Sequence, residues 1–251
     1  MLMVVSPAKS LDFESPAQSK KFTEPRFLAD SKKLVSDLKK LKPEEISELM
    51  NISETLGELN FARYANWQMP FDLKNSKQAI FAFKGDVYNG INAPTLSTED
   101  LDFAQDKVRM LSGLYGVIRP LDLIQPYRLE MGTKLSNAKG NDLYDYWGSD
   151  ISDVLNDDES ELIINLASIE YFKAIDKKSL NAKILDIVFK EKKGDSYKVI
   201  GIYAKRARGL MVNFIIRNRL DNPEALKDFS DEGYRFDREL SNDSTWVYLR
   251  G

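Results

Sequence analysis

The sequence predicts an α+β protein, a single domain over residues 1–251 with a mixed β-sheet core, surrounding helices and one helix-hairpin-helix-like element. Three observations carry that prediction. Short, wholly apolar runs at residues 2–5 and 162–166 have the length and composition of strands buried on both faces. Between and around them, apolar residues recur at helical spacing, as at Leu34 and Leu38, Ile46 and Leu49, or Leu210 and Phe214. No repeat, low-complexity tract or linker divides the chain, and 43% hydrophobic content over 251 residues is enough for one large core.

The first strand, residues 2–5, runs into the loop Ser6-Pro7-Ala8-Lys9-Ser10, where Pro7 stiffens the backbone and Ser6, Lys9 and Ser10 offer donors for an anion or a nucleotide. Residues 15–25 are polar and proline-broken, a surface excursion. Leu34, Leu38 and Leu41 mark an amphipathic helix over residues 30–41. Pro43 opens a second helix. Asn51 suits the left-handed conformation that ends it, and Ser53 caps a third through Leu56, Leu59 and Tyr64. This hairpin, within residues 31–66, has the layout of helix-hairpin-helix DNA-binding modules, but Asn51 and Ser53 stand where those modules usually carry glycine. An ordinary helical hairpin explains the same residues.

Residues 78–83 read as a strand and 83–90 as a turn with Lys84 and Asp86 beside Gly85. Ser97 or Thr98 starts a helix through Leu101, Val108 and Met110. The stretch from 109 to 132 is the centre of the chain. Its apolar residues are continuous rather than facial, Gly113 and Gly116 permit close backbone contact, and Pro120 and Pro126 bar a helix. Into it are set Arg119, Asp122, Arg128 and Glu130, which are costly in a core unless each finds a partner. Either they pair only with one another, or Arg128 and Glu130 also face a cleft.

Residues 127–135 return as a strand and 141–155 form an amphipathic helix. The strand 162–166 leads through Ser168, at the cap position, into a helix starting at Ile169. Residues 184–189 and 197–203 flank Lys192-Lys193-Gly194-Asp195 as a hairpin. Tyr203-Ala204-Lys205-Arg206-Ala207-Arg208-Gly209 then feeds a helix through Leu210, Met211, Phe214 and Ile215, with Arg206, Asn213 and Arg217 on one stripe. Pro223 starts a short helix, and 233–240 and 245–249 read as closing strands.

Composition removes many functions. Cysteine and histidine are both absent, so disulfides, zinc fingers, iron–sulfur clusters and Ser-His-Asp triads are excluded. Any metal would need carboxylate ligands, and no metal site or cofactor is expected. Acid–base chemistry falls to carboxylates, lysine or tyrosine, which makes Lys9 and Glu130 the candidate catalytic residues. Net charge is −3, yet residues 196–220 contain no acid and carry Lys198, Lys205, Arg206, Arg208, Arg217 and Arg219, a phosphate-binding composition. No apolar run approaches membrane-spanning length, and residues 2–5 are too short for a signal-peptide core, so a soluble, cytoplasmic protein without a membrane partner is expected.

Several segments, in order, resemble the YaaA family of bacterial peroxide-stress proteins. They are Ser6-Pro7-Ala8-Lys9; Phe83-Lys84-Gly85-Asp86-Val87-Tyr88; Leu111 to Val117 with Arg119-Pro120-Leu121-Asp122; Gln125-Pro126-Tyr127-Arg128-Leu129-Glu130-Met131-Gly132; Asn165-Leu166-Ala167-Ser168; Glu170-Tyr171-Phe172; and Tyr203-Ala204-Lys205 with Ala207-Arg208-Gly209. The resemblance implies a cytoplasmic protein that limits iron-linked oxidative damage and binds duplex or branched DNA through a basic cleft and a helix-hairpin-helix element. On this chain those contacts would fall on Lys205, Arg206, Arg208 and Arg217 and on Asn51 and Ser53.

Two functions follow as expectations. The first is a monomeric DNA-binding protein of the oxidative stress response with no covalent chemistry. The alternative is a nucleotide- or base-processing enzyme whose site at strand ends is built from Lys9, Lys84, Asp86, Arg128, Glu130 and Lys205. Direct iron storage lacks any ferritin-like ligand spacing.

Overall fold

The computed structural model describes residues 1–251. In chain order, strand β1 (Leu2–Val5) and the short β2 (Ser10–Leu11) precede helices α1 (Leu28–Leu38), α2 (Pro43–Met50) and α3 (Glu54–Asn66). A compact series follows: β3 (Lys77–Gln78), α4 (Ala79–Ala82), β4 (Phe83–Lys84) and α5 (Asp86–Ile91). Helix α6 (Thr98–Lys107) leads into β5 (Val108–Ser112), β6 (Gly116–Ile118) and β7 (Leu123–Ile124). Helices α7 (Leu143–Trp147) and α8 (Asp150–Asp157) precede β8 (Leu162–Leu166), α9 (Ile169–Phe172) and the long β9 (Lys183–Lys193). The chain closes with β10 (Ser196–Lys198), α10 (Gly201–Asn218), β11 (Arg235–Asn242) and β12 (Thr245–Arg250).

The core is an eight-stranded mixed sheet in the order β11-β12-β9-β8-β1-β5-β6, with β10 paired to β9. Strand β1 lies between β5 and β8 and runs parallel to both, and β8, β9 and β12 continue the parallel set. β6, β10 and β11 join antiparallel. All four residues of β1 are buried, as its uninterrupted apolar run requires of a strand covered on both faces. The fold is therefore α+β on a mixed sheet, as the sequence predicts. One consequence matters for function: the C-terminal ends of β1, β5 and β8 open on the same edge, and so do the loops that leave them.

Several local expectations are corrected. Residues 78–83 are not one strand but the end of β3, the turn of α4 and the start of β4. All of Ala79 to Ala82 are buried, so no alternation distinguished a strand from a helical turn. The expected turn at 83–90 contains α5, which ends at Asn92 in a left-handed conformation (φ 51°). Residues 127–135 form no strand; they press against the β5–β6 turn, where a Cβ at Gly113 would sit 2.3 Å from the Leu129 carbonyl oxygen. The helix expected over 141–155 divides into α7 and α8 at Gly148, whose φ of 48° interrupts helical geometry. The second strand of the 184–203 hairpin stops at Lys198, because α10 begins at Gly201 and takes Tyr203, Lys205, Arg206 and Arg208 into its first turns. The short helix at Pro223 is a 3₁₀ turn.

Helices α2 and α3 are joined by a tight turn. Asn51 is left-handed (φ 49°, ψ 57°), the Ile52 amide bonds the Ser47 carbonyl at 3.0 Å, and Ser53 Oγ accepts from the Leu56 amide at 3.4 Å. Helices α5 and α10 meet backbone to backbone. A Cβ on Gly209 would lie 1.9 Å from the Val87 carbonyl oxygen and one on Gly90 2.4 Å from that of Arg206, so only glycines allow these backbones to touch. That crossing carries the start of α10 to the strand-end edge.

Candidate functional site

A cleft of about 420 Å³ opens at the strand-end edge. Its walls are the loop after β1 from Ser6 to Ser10, the β4–α5 junction from Lys84 to Tyr88, the irregular segment from Tyr127 to Glu130, the start of α9, and Lys205 and Arg208 of α10. Hydrogen bonds between these walls fix their spacing. Ser6 Oγ accepts from the Ser168 amide at 2.8 Å, joining the loops that leave β1 and β8. Ser168 therefore occupies the cap position without capping; its hydroxyl accepts from Ser6 instead, at 3.3 Å. Tyr88 donates to the Ser6 carbonyl at 3.0 Å, β2 pairs with β4 so that Ser10 faces Lys84, and the Tyr127 hydroxyl lies 2.7 Å from Ser112 Oγ. Tyr64 of α3 donates to the Arg128 carbonyl. Burial pushes the phenols of Tyr88, Tyr127 and Tyr171 well above their ordinary range, so all three stay neutral.

The charges divide into two sets. In the first, Glu130 is bound on both oxygens: Oε1 accepts from Arg128 Nη2 at 2.9 Å and Oε2 meets Lys9 Nζ at 2.6 Å. The charges of the central stretch thus do both things left open by the sequence: they pair with one another, and this pair also faces the cleft. Arg119 and Asp122 pair away from it, with 3.5 Å between Nε and Oδ1.

The second set has no protein partner. Arg208 is largely buried, makes no hydrogen bond or ion pair, and its Nε is fully enclosed and unsatisfied. Burial accordingly lowers its pKa from the ordinary arginine value. Lys84, Lys205 and Asp86 also line the cleft with their charged groups unpaired. In all, five cations face three carboxylates. No cluster of three or more metal-ligating side chains exists in the chain.

Of the residues singled out in the sequence, Lys9, Lys84, Asp86, Arg128, Glu130, Lys205 and Arg208 converge on this cleft. The others do not. Arg206 turns to Glu232, with Nε 2.6 Å from Oε1. Arg217 Nη2 bonds Thr95 Oγ1 at 2.6 Å and its carbonyl at 3.0 Å, and Nε reaches Asn213 at 3.2 Å. Asn51 and Ser53 lie at the exposed tip of the α2–α3 hairpin among the exposed Glu44, Glu45, Glu48, Glu54 and Glu58, an acidic setting for a phosphate contact. Sequence reasoning did not assign Tyr88, Tyr127, Tyr171 or Glu170 to a site. Their signal was proximity in the chain to Asp86, Arg128 and Ser168.

These features define an α+β protein with a polar cleft where its parallel strands end. The chain belongs to the YaaA peroxide stress protein family, whose model matches residues 1–240. A UPF0246 protein of Burkholderia cenocepacia is 52% identical over 256 residues, covering 100% of this chain and 98% of the relative. A UPF0246 protein of Paraburkholderia xenovorans is 53% identical with the same coverage. No helix is long and apolar enough to cross a membrane.

Proposed function

We propose that the protein serves the peroxide stress response by binding a phosphate-bearing nucleotide in the strand-end cleft and acting on it with the polar groups around Lys9 and Glu130. The observation that carries this reading is Arg208, a mostly buried guanidinium with no counter-ion in the protein. An uncompensated buried charge costs several kcal/mol, and a bound phosphate is the group whose geometry matches the guanidinium fork. Lys84 and Lys205, unpaired on the same walls, add charge for the same anion. The cleft volume of about 420 Å³ falls within the range of sites that enclose single small molecules, roughly 300–1,000 Å³.

DNA is the second reading, and one observation favours it: Lys192, Lys193 and Lys198 are exposed and unpaired where the chain approaches α10, and Tyr203 stands exposed in the first turn of that helix. A strand crossing there would use the lysines for phosphates and Tyr203 for stacking. Any limit on iron-linked damage would be indirect under either reading.

Calorimetric titration of AMP and anisotropy titration of a labelled duplex at two salt concentrations, for wild type, Arg208→Leu and the triple alanine variant of Lys192, Lys193 and Lys198, separate them. The nucleotide reading expects AMP binding that falls at least about tenfold in Arg208→Leu, the loss of one charge-assisted contact. Salt-steep duplex binding abolished only in the triple variant would replace it with the DNA reading. Absence of both at low salt would sink both.

A further inference from the structure

We infer that the cleft recognises a hydroxylated phosphomonoester of the nucleoside monophosphate class, with Asp86 reading its hydroxyl groups and the free edge of Arg128 reading an uncharged acceptor. This rests on the phosphate reading of Arg208 and sharpens it. The cleft holds three carboxylates, Asp86, Glu130 and Glu170. Glu130 has both oxygens occupied by Arg128 and Lys9. Glu170 is committed through Oε1 to the Gly132 amide at 3.0 Å. Asp86 alone has neither oxygen engaged, although it lines the same space as Lys84, Lys205 and Arg208.

A site for a bare anion gains nothing from that carboxylate, which repels phosphate and lowers the cationic potential around it. An ionised carboxylate is also acceptor-only, so its free oxygens demand donors. The ligand that satisfies Arg208 and Asp86 together carries phosphate and hydroxyl groups within one small molecule. A ribose phosphate does so, and carboxylates bind ribose hydroxyls readily.

Arg128, on the same walls, bears on the rest of the ligand. Arg128 lines the cleft with its charge matched by Glu130 through Nη2, while Nη1 makes no hydrogen bond and the buried Nε is unsatisfied. With that ion pair already made, a second anion there would face Glu130. A neutral acceptor, such as a base carbonyl or ring nitrogen, completes Arg128 without that repulsion. Phosphate, hydroxyls and an acceptor edge in one molecule describe a nucleoside monophosphate.

The test is calorimetric titration of full-length wild type and Asp86→Asn with inorganic phosphate, ribose 5-phosphate and GMP, with thermal melts confirming that the variant is folded. Wild type should bind ribose 5-phosphate about tenfold more tightly than inorganic phosphate, and GMP more tightly again. Asp86→Asn should reverse the first difference, binding inorganic phosphate more tightly than wild type and ribose 5-phosphate more weakly. If the variant strengthens both by the same factor, Asp86 is only a charge and the hydroxyl assignment is wrong. GMP no tighter than ribose 5-phosphate would overturn the Arg128 contact. If inorganic phosphate binds wild type as tightly as the esters, the phosphate reading stands and this inference falls; if no phosphate compound binds, the phosphate reading itself is lost.

Discussion

Helix α10 carries two sets of cations with opposite settings, and the difference between them locates function better than their number does. On one set of positions, Arg206 and Arg217 reach Glu232 and Thr95 and are satisfied by the protein itself. On the other, Lys205 and Arg208 face the cleft and meet no carboxylate, although Arg208 is mostly buried. Exposed ion pairs contribute little to stability or specificity. A buried charge left without a partner destabilises the fold, and such charges cluster at sites where a ligand completes them. By composition all four residues are alike; by setting, only two line the cleft.

That contrast depends on how α10 is presented, and the α5–α10 crossing presents it. Gly209→Ala should break the comparison at its root. The added Cβ would stand 1.9 Å from the Val87 carbonyl oxygen, backbone that cannot rotate aside, so the helices must separate. The expected cost is about 3 kcal/mol, equivalent to roughly 6–12 °C in Tm, with loss of the cleft that Val87 and Arg208 share. A melting temperature within a degree of wild type would show that the crossing does not hold the site.

The two sets also predict different effects of removing a charge. Arg208→Leu replaces an uncompensated buried guanidinium with an apolar side chain and should raise the Tm of the ligand-free protein by about 2–4 °C, or about 1 kcal/mol. Arg206→Ala breaks a half-exposed pair, whose Arg206 side chain is 44% accessible, and should change stability by less than about 0.5 kcal/mol. Adding phosphate should stabilise wild type and Arg206→Ala but not Arg208→Leu. Destabilisation of Arg208→Leu in the absence of ligand would mean the guanidinium supports the fold, and the comparison would fail.

How much of this was legible in the sequence follows the same division. The apolar runs of β1 and β8 were readable because a strand buried on both faces needs no alternation, and Ser97 declared the start of α6, where its hydroxyl accepts from the Asp100 amide at 3.2 Å. The cleft residues at strand ends were readable too, since Lys9, Lys84, Asp86, Arg128 and Glu130 stand beside prolines and glycines that stop elements. The orientation of the basic run is not legible in the sequence, because a strand expected to reach residue 203 places the run's first residues before the helix. With α10 beginning at Gly201, a rotation of about 100° per residue puts Lys205 and Arg208 nearly on one face and turns Arg206 away from Arg208. The acids that pair with Arg206 and Arg219, Glu232 and Asp100, are distant in sequence, so no local pattern announced them.

Asp122 sharpens the comparison from the other side, as a buried charge that does have partners. It is 2% exposed, accepts from the Arg119 amide at 2.8 Å and from Thr23 Oγ1 at 2.5 Å, and lies 3.5 Å from Arg119 Nε. Even so, burial outweighs these contacts and pushes its carboxyl above the usual range. The folded state therefore takes up this proton more readily than the unfolded chain does. Its protonation contributes stability that is fully present below the unfolded pKa of about 3.9 and is lost as the pH rises through the raised folded value. Asp122→Asn cannot titrate, so wild type should gain stability relative to the variant as the pH falls from 7 towards 4, an effect smaller than that of Gly209→Ala or Arg208→Leu. Urea unfolding of both proteins across that range measures it. A difference that stays flat with pH would place the carboxyl at its unfolded value and show that three partners neutralise burial completely, in which case the missing partners of Arg208 would be still more telling.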